Sequence, residues 1–349
     1  MLSEKHILHE KYRSERSAEL VIACDITSCS ISAVFYDLAL ERRYARSVRF
    51  GAEVNVQNVF EELEKLLVTA VREYSVKSSA IKRIGIAAPV HIEAALERMT
   101  DSRAVFVPYI SAGISGRFTA SLLTLPEDGD WTAADLGREL CVAHRSDGEL
   151  LCAAFPLAGA FDGSASENGI PSENGAVDAV RIEKDGITAY EVVGDCEGVG
   201  VSPCGALTLT AEMRRRGILD SDGIMTDRDM YYIGEDLFVT QNDIRVIQTD
   251  KARLSAALEL LPDTGGNMYF SGEPFSDAGG FRALLEIGAI PKRFETASFC
   301  RNSTEQGIIA FLSDEAARDR AFELSRIAED VTQDKLLKFD EICLKKHLF

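Results

Sequence analysis

The stretch Glu19 to Leu38, ELVIACDITSCSISAVFYDL, decides the fold. Leu20 to Cys24 form an unbroken apolar run, as in a strand buried on both faces, and Ile31, Ala33 and Phe35 alternate with Ser30, Ser32 and Val34. Asp25 stands where the buried strand ends, a position at which a carboxylate must be solvated, paired or bound to a cation. The hydroxyl-rich turn Thr27-Ser28-Cys29-Ser30 adds donors that suit a phosphate. An ordinary hairpin whose Asp caps its own turn is the plainer reading of this stretch alone.

A second copy of the pattern lies at Trp131 to Ala143, WTAADLGRELCVA, where an apolar run again enters an aspartate, Asp135, followed by Gly137 and a new strand-like run. Two strand-Asp-turn-strand units imply two similarly built lobes. A cleft between such lobes suits a Mg-nucleotide, with each turn touching phosphates and each Asp facing the metal or its waters.

Composition narrows the class. A chain of 349 residues, 46% apolar and 27% charged, is that of a globular protein large enough for two domains or lobes. No apolar run approaches the roughly 20 residues a bilayer span needs, and the N-terminal stretch MLSEKHILHEKYRSERSAEL is too charged for a signal peptide, so the expected location is cytoplasmic, with no membrane partner. A formal net charge of -18 argues against a nucleic-acid partner. The eight cysteines, at 24, 29, 141, 152, 196, 204, 300 and 343, include no CxxC pair, so no iron-sulfur cluster or structural zinc site is expected.

Taken in order, Tyr44 to Phe50 supply a third strand, and Asn55 caps a helix whose apolar stripe runs from Val56 through Val59, Leu63 and Leu66 to Val71. Strands at Ile84 to Ala87 and Val105 to Tyr109 follow, with a glycine-led helical run after them. Strands first and then alternating helices and strands describe an α/β layer of mixed sheet order. Thr240 with Asp243 forms a capping-box pattern ahead of a long helix through Leu261. The expected organisation is a charged leader over 1–18, lobe I over 19–128, lobe II with crossover helices over 129–325, and a polar C-terminal tail over 326–349.

With the parts in order, the chain resembles the actin-like ATPase region of the reductive activators of corrinoid proteins, within the actin, sugar-kinase and Hsp70-like (ASKHA) superfamily. The resemblance rests on LAGAFDGSASENGIPSENGAVDAVRI, GVGVSPCGALTLTAEMRRRGILD, QNDIRVIQTDKARLSAALELL, FSGEPF and EIGAIP, which follow the family's motifs in the family's order. It implies a two-lobed actin-like, ribonuclease H-like α/β fold with a nucleotide-type cleft. It also implies Asp25 and Asp135 as metal-facing residues acting through water, Ser28, Ser30 and Gly137 at phosphates, and Gly200, Gly205 and Gly272 where backbone approaches nucleotide. Family members join this region to an iron-sulfur domain; here the first lobe begins near residue 19, and the expectation is a chain without that electron carrier.

The departures gather at the presumed nucleotide site. The family's DIGTTT-like first turn reads DITSCS, the DIGTNGE-like second turn is shortened to DLGRE, and Pro203 removes a backbone donor from the glycine-rich helix start. If each lost phosphate contact is worth about 1 to 1.5 kcal/mol, three losses weaken Mg-ATP binding on the order of a thousand-fold. Three functions stay open: an ATP-dependent activator that takes electrons from a separate donor, a catalytically inactive partner of a corrinoid protein or its methyltransferase system, and a small-molecule kinase.

Overall fold

The computed structural model describes residues 19–27, 30–37, 41–50, 55–73, 78–226, 228–262, 267–275, 278–294 and 296–349. The expected leader, 1–18, and Ser28 of the first turn lie outside the described residues. By internal contacts the chain divides into unit 1, Met1–Leu125 with Ser303–Ile327, and unit 2, Pro126–Asn302 with Ala328–Phe349.

Unit 1 is built on a five-stranded sheet of β1 (Leu20–Ile26), β2 (Ser30–Asp37), β3 (Arg42–Arg49), β4 (Ile81–Ala87) and β5 (Ala104–Phe106). The order is β3-β2-β1-β4-β5; the first three strands form an antiparallel meander, and β4 and β5 run parallel to β1. The hairpin register pairs Ile26 with Ile31 and Asp25 with Ser32, so the aspartate is the penultimate residue of a strand whose other side chains are buried. Helix Val56–Glu73 buries Val59, Leu63 and Leu66, three positions on one helical face, in the core formed with Ile22, Ile31 and Phe35.

The helices Ser303–Ser313 and Glu315–Ile327 belong to this unit by their contacts, whereas the expected lobe II of 129–325 includes residues 303–325. Their attachment is local and polar as well as apolar. Ser121 donates to Ser303 at 2.8 Å, Arg83 donates to the Leu312 carbonyl at 3.1 Å, and Arg320 donates to the carbonyls of Leu123 and Leu125. Gly307 crosses helix Gly116–Leu122 so closely that a Cβ there would meet the Ala120 carbonyl oxygen at 1.8 Å.

Unit 2 repeats the arrangement. Strands β6 (Trp131–Leu136), β7 (Glu139–Ser146) and β8 (Glu149–Pro156) form the antiparallel meander. An insertion then carries β9 (Ala176–Ile182), β10 (Thr188–Val192), β11 (Gly200–Val201), helix Pro203–Arg215, β12 (Met230–Tyr232) and β13 (Phe238–Thr240). After helix Gln241–Leu260 come β14 (Asn267–Gly272), parallel to β6, and β15 (Ser298–Cys300); β16 (Ala328–Asp330) lies beside β8. The sheet order β15-β14-β6-β7-β8-β16 is that of unit 1 with one strand added, and Asp135 is again the penultimate residue of its strand. Thr240 and Asp243 do form a reciprocal capping box.

The expected polar tail is instead helix Thr332–Lys345, packed on this unit. Phe339 is buried and stacks on Phe155 with ring centroids 3.9 Å apart. No helix among the described residues is long and apolar enough to cross a membrane.

Candidate functional site

In unit 1 the first turn is knitted to itself. Thr27 N–H donates to the Ser30 carbonyl at 2.9 Å, Ser30 N–H donates to Thr27 Oγ1 at 2.9 Å, and the two hydroxyl oxygens lie 2.7 Å apart. The Ser30 hydroxyl, expected at a phosphate, is thus turned into its own hairpin. Asp25 meets a residue from a distant segment, which no local pattern places there. Arg117, in the first turn of helix Gly116–Leu122, donates through Nε to Oδ1 and through Nη2 to Oδ2, the latter at 3.0 Å. Both side chains are 22% exposed, so a forked guanidinium neutralises this carboxylate at the edge of solvent.

The fork takes one bond on each Asp25 oxygen and brings to it the positive charge that a hydrated metal ion would otherwise supply. Among the described residues no group of three or more His, Cys, Asp or Glu is placed to hold a metal ion.

In unit 2 Asp135 is buried, and Ser271, its partner in the parallel β6–β14 register, donates its hydroxyl to Oδ1. The shortened turn brings Arg138 to Ser164 Oγ at 2.5 Å and to Asp162 at 3.9 Å, tying it to the glycine-rich loop after β8. A Cβ at Gly137 would meet nothing, while its N–H closes the turn by donating to the Glu139 carbonyl at 3.2 Å. The other glycines answer to packing inside the unit. A Cβ at Gly205 would meet the Val177 carbonyl oxygen at 2.0 Å, one at Gly272 (φ 113°) would meet the Leu136 carbonyl oxygen at 1.9 Å, and one at Gly200 would press into Ile170. β6 and β14 bring Asp135 and Gly272 into neighbouring positions, whereas Gly200 and Gly205 sit over β9.

The start of helix Pro203–Arg215 shows the same inward turn. Ser202 is its N-cap, accepting from Gly205 N–H at 3.0 Å and donating to Asp178 at 2.5 Å, and Ser172 donates to that same Asp178 oxygen. Pro203 takes the first helical position, where its missing N–H leaves no helical bond unmade. One amide that a phosphate could have used, that of Gly205, is spent on the cap.

Two features were not anticipated. Asp250, fully buried on helix Gln241–Leu260, accepts the backbone N–H groups of Ala158, Gly159 and Ala160 at 2.5, 3.0 and 2.8 Å, which pins the glycine-rich loop. Burial pushes its carboxyl up, against the opposing pull of those amides and of Arg253. The second is a groove of about 560 Å³ between the β9–β10 hairpin and the helices Pro203–Arg215 and Ala278–Glu286, lined in part by Tyr190, Thr208, Glu212, Arg215 and Arg282. Arg215 bridges the two helices, donating to Glu212 Oε1 and to Glu286 Oε2 at 2.5 Å each, while the buried Glu212 Oε2 has no hydrogen-bond partner.

The model of the C-terminal domain of RACo, the ASKHA domain, matches residues 133–347, more than half of the chain. The chain belongs to this family. With the repeated sheet topology, it has the two-lobed actin-like, ribonuclease H-like fold of the ASKHA proteins. The corrinoid activation enzyme RamQ of Eubacterium limosum is 25% identical over 221 residues, 54% of this chain and 37% of RamQ. A solved reductive activator for corrinoid,iron-sulfur protein superposes with a TM-score of 0.79 at 18% identity, covering 95% of this chain and 66% of that one. At that identity the likeness speaks for the fold, and the chain spans less than two thirds of the length of either relative.

Proposed function

We propose that this ASKHA-domain chain acts in the activation of a corrinoid protein, with electrons from a separate donor, and that its own grip on Mg-ATP is weak. The observation that carries the second half is the forked Arg117 on Asp25, which supplies internally the positive charge that a metal ion would bring. The Thr27–Ser30 hairpin bonds and the Ser202 cap support it, since both consume groups that a phosphate needs. RamQ's name as a corrinoid activation enzyme, and the fold shared with the reductive activator, support the corrinoid partner. Any remaining nucleotide contact belongs at the groove, where Glu212 Oε2, without a hydrogen bond and 3.8 Å from Arg216 Nε, suits an amine-bearing ring.

A second reading, a nucleotide-independent scaffold or regulatory partner, is favoured by Gly200, Gly205 and Gly272, whose lack of a Cβ is accounted for by close packing inside the unit. Light scattering with a purified corrinoid protein, with and without Mg-ATP, separates the readings. A complex that Mg-ATP strengthens or releases supports an activator, and one indifferent to Mg-ATP supports the scaffold. No association with any corrinoid protein tried would end both.

A further inference from the structure

A small cavity in unit 2 lies between β7 and β8, the end of helix Gln241–Leu260 and the start of helix Thr332–Lys345. It measures about 50 Å³, and since one water takes about 10 to 15 Å³ of such volume, it has room for about four water-sized groups. Its walls are mostly apolar, with Leu151, Phe155, Ala257 and Leu260 among them, and apart from the weakly polar Cys152 thiol the polar side chains that line it are His144 and Lys335. Among the described residues no carboxylate, amide or hydroxyl side chain lines it. His144 is 4% exposed and held from one side: its Nδ1 lies 3.0 Å from Thr132 Oγ1 across the β6–β7 pair. Neither side chain has another hydrogen bond among the described residues. Thr132 is buried too, so the arrangement that leaves least unmet has its hydroxyl donating to Nδ1, with the ring proton on Nε2. Burial pushes the imidazole's pKa down, against the pull of Asp130, which keeps the ring neutral. Lys335 is half-buried and forms no ion pair among the described residues.

We propose that this cavity binds a short-chain monocarboxylate of about two or three carbons, its carboxylate accepting from His144 Nε2–H and facing the charge of Lys335, its tail against the apolar wall. The wall offers an N–H and an ammonium, both donors, and a carboxylate is an acceptor only, so the two sets match. Water fits less well, because it brings two hydrogens of its own and finds no side-chain acceptor to receive them. An alkylamine of the same size would set its charge against Lys335. Volume fixes the length of the tail, since a longer chain would have to part a close-packed core. The walls come from a strand pair and two helices that are far apart in sequence, so the occupant would also tie the start of the C-terminal helix to the sheet.

Titration of the full chain, labelled with 15N at histidine, with sodium propionate tests this by nuclear magnetic resonance, the His144 ring being assigned from its Overhauser contacts with Thr132. The expected result is a saturable change at the His144 ring nitrogens, with the ring still neutral and the proton on Nε2, and a higher melting temperature at saturating propionate. Sodium chloride and propylamine at the same concentrations should leave the His144 signals in place, and hexanoate should be too long to enter. Lys335→Gln should melt like wild type without ligand, and should raise the dissociation constant for propionate by about tenfold or more. No saturable change at His144 with propionate, the same change with propylamine, or an unaltered affinity in Lys335→Gln would overturn the proposal.

Discussion

Asp25 and Glu93 show two fates of a carboxylate at the edge of a core. Asp25 is compensated by the fork of Arg117. Glu93, in the short helix Val90–Leu96 after β4, is buried with Oε2 lacking a hydrogen-bond partner, and burial together with Glu97 pushes its carboxyl from 4.5 up to about 7. The folded state therefore holds a proton that the unfolded chain releases between those values. Over that window the unfolded chain binds fewer protons, so this residue's contribution to stability falls as pH rises from about 4.5 to about 7. Urea unfolding of Glu93→Gln should show a flatter pH dependence across that window and higher stability than wild type at pH 7. An unchanged pH profile would mean that the carboxyl is solvated. Asp25 and Asp135 were legible in the sequence because each ends a run of strand residues and the pattern occurs twice. Arg117 was not legible, since it lies 92 residues from Asp25 and nothing local marks a guanidinium that will be claimed by a distant strand end.

At the scale of elements, periodicity read well where one pattern dominated. The helix Gln241–Leu260 is legible from its cap, β1 and β6 from apolar runs that end in an aspartate, and β2 from its alternation. The C-terminal helix read as a polar tail because Leu336, Phe339, Ile342 and Cys343, which define its inner face, are interleaved with the outward Leu337 and Leu344. The glycine-rich loop after β8 could be read as a loop but not as a fixed one. Its order comes from Asp250, and a carboxylate on a helix gives no sequence sign that it will collect three amides from another segment. Asp250→Ala leaves those buried N–H groups without acceptors and should cost about 3 kcal/mol or more of unfolding free energy. Proteolysis within residues 157–169 should rise in the variant, whereas unchanged stability would show that solvent replaces the carboxylate.

Across the whole molecule, both units carry the same strand order with an aspartate one residue from the end of the first strand, and this duplication is what the opening stretch and its second copy announced. What the sequence could not show is which groups these turns use among themselves. The Thr27–Ser30 hairpin, the Ser202 cap and the Arg117 fork are each an ordinary internal bond, and each engages a group that a phosphate or metal ion would otherwise meet. On the proposed reading, the chain combines an ASKHA fold with a weak hold on Mg-ATP. Titration calorimetry of Mg-ATP into the intact chain tests it most directly. The expected result is weak or undetectable heat of binding at millimolar nucleotide, unaffected by Asp25→Ala; submicromolar binding that Asp25→Ala abolishes would contradict it.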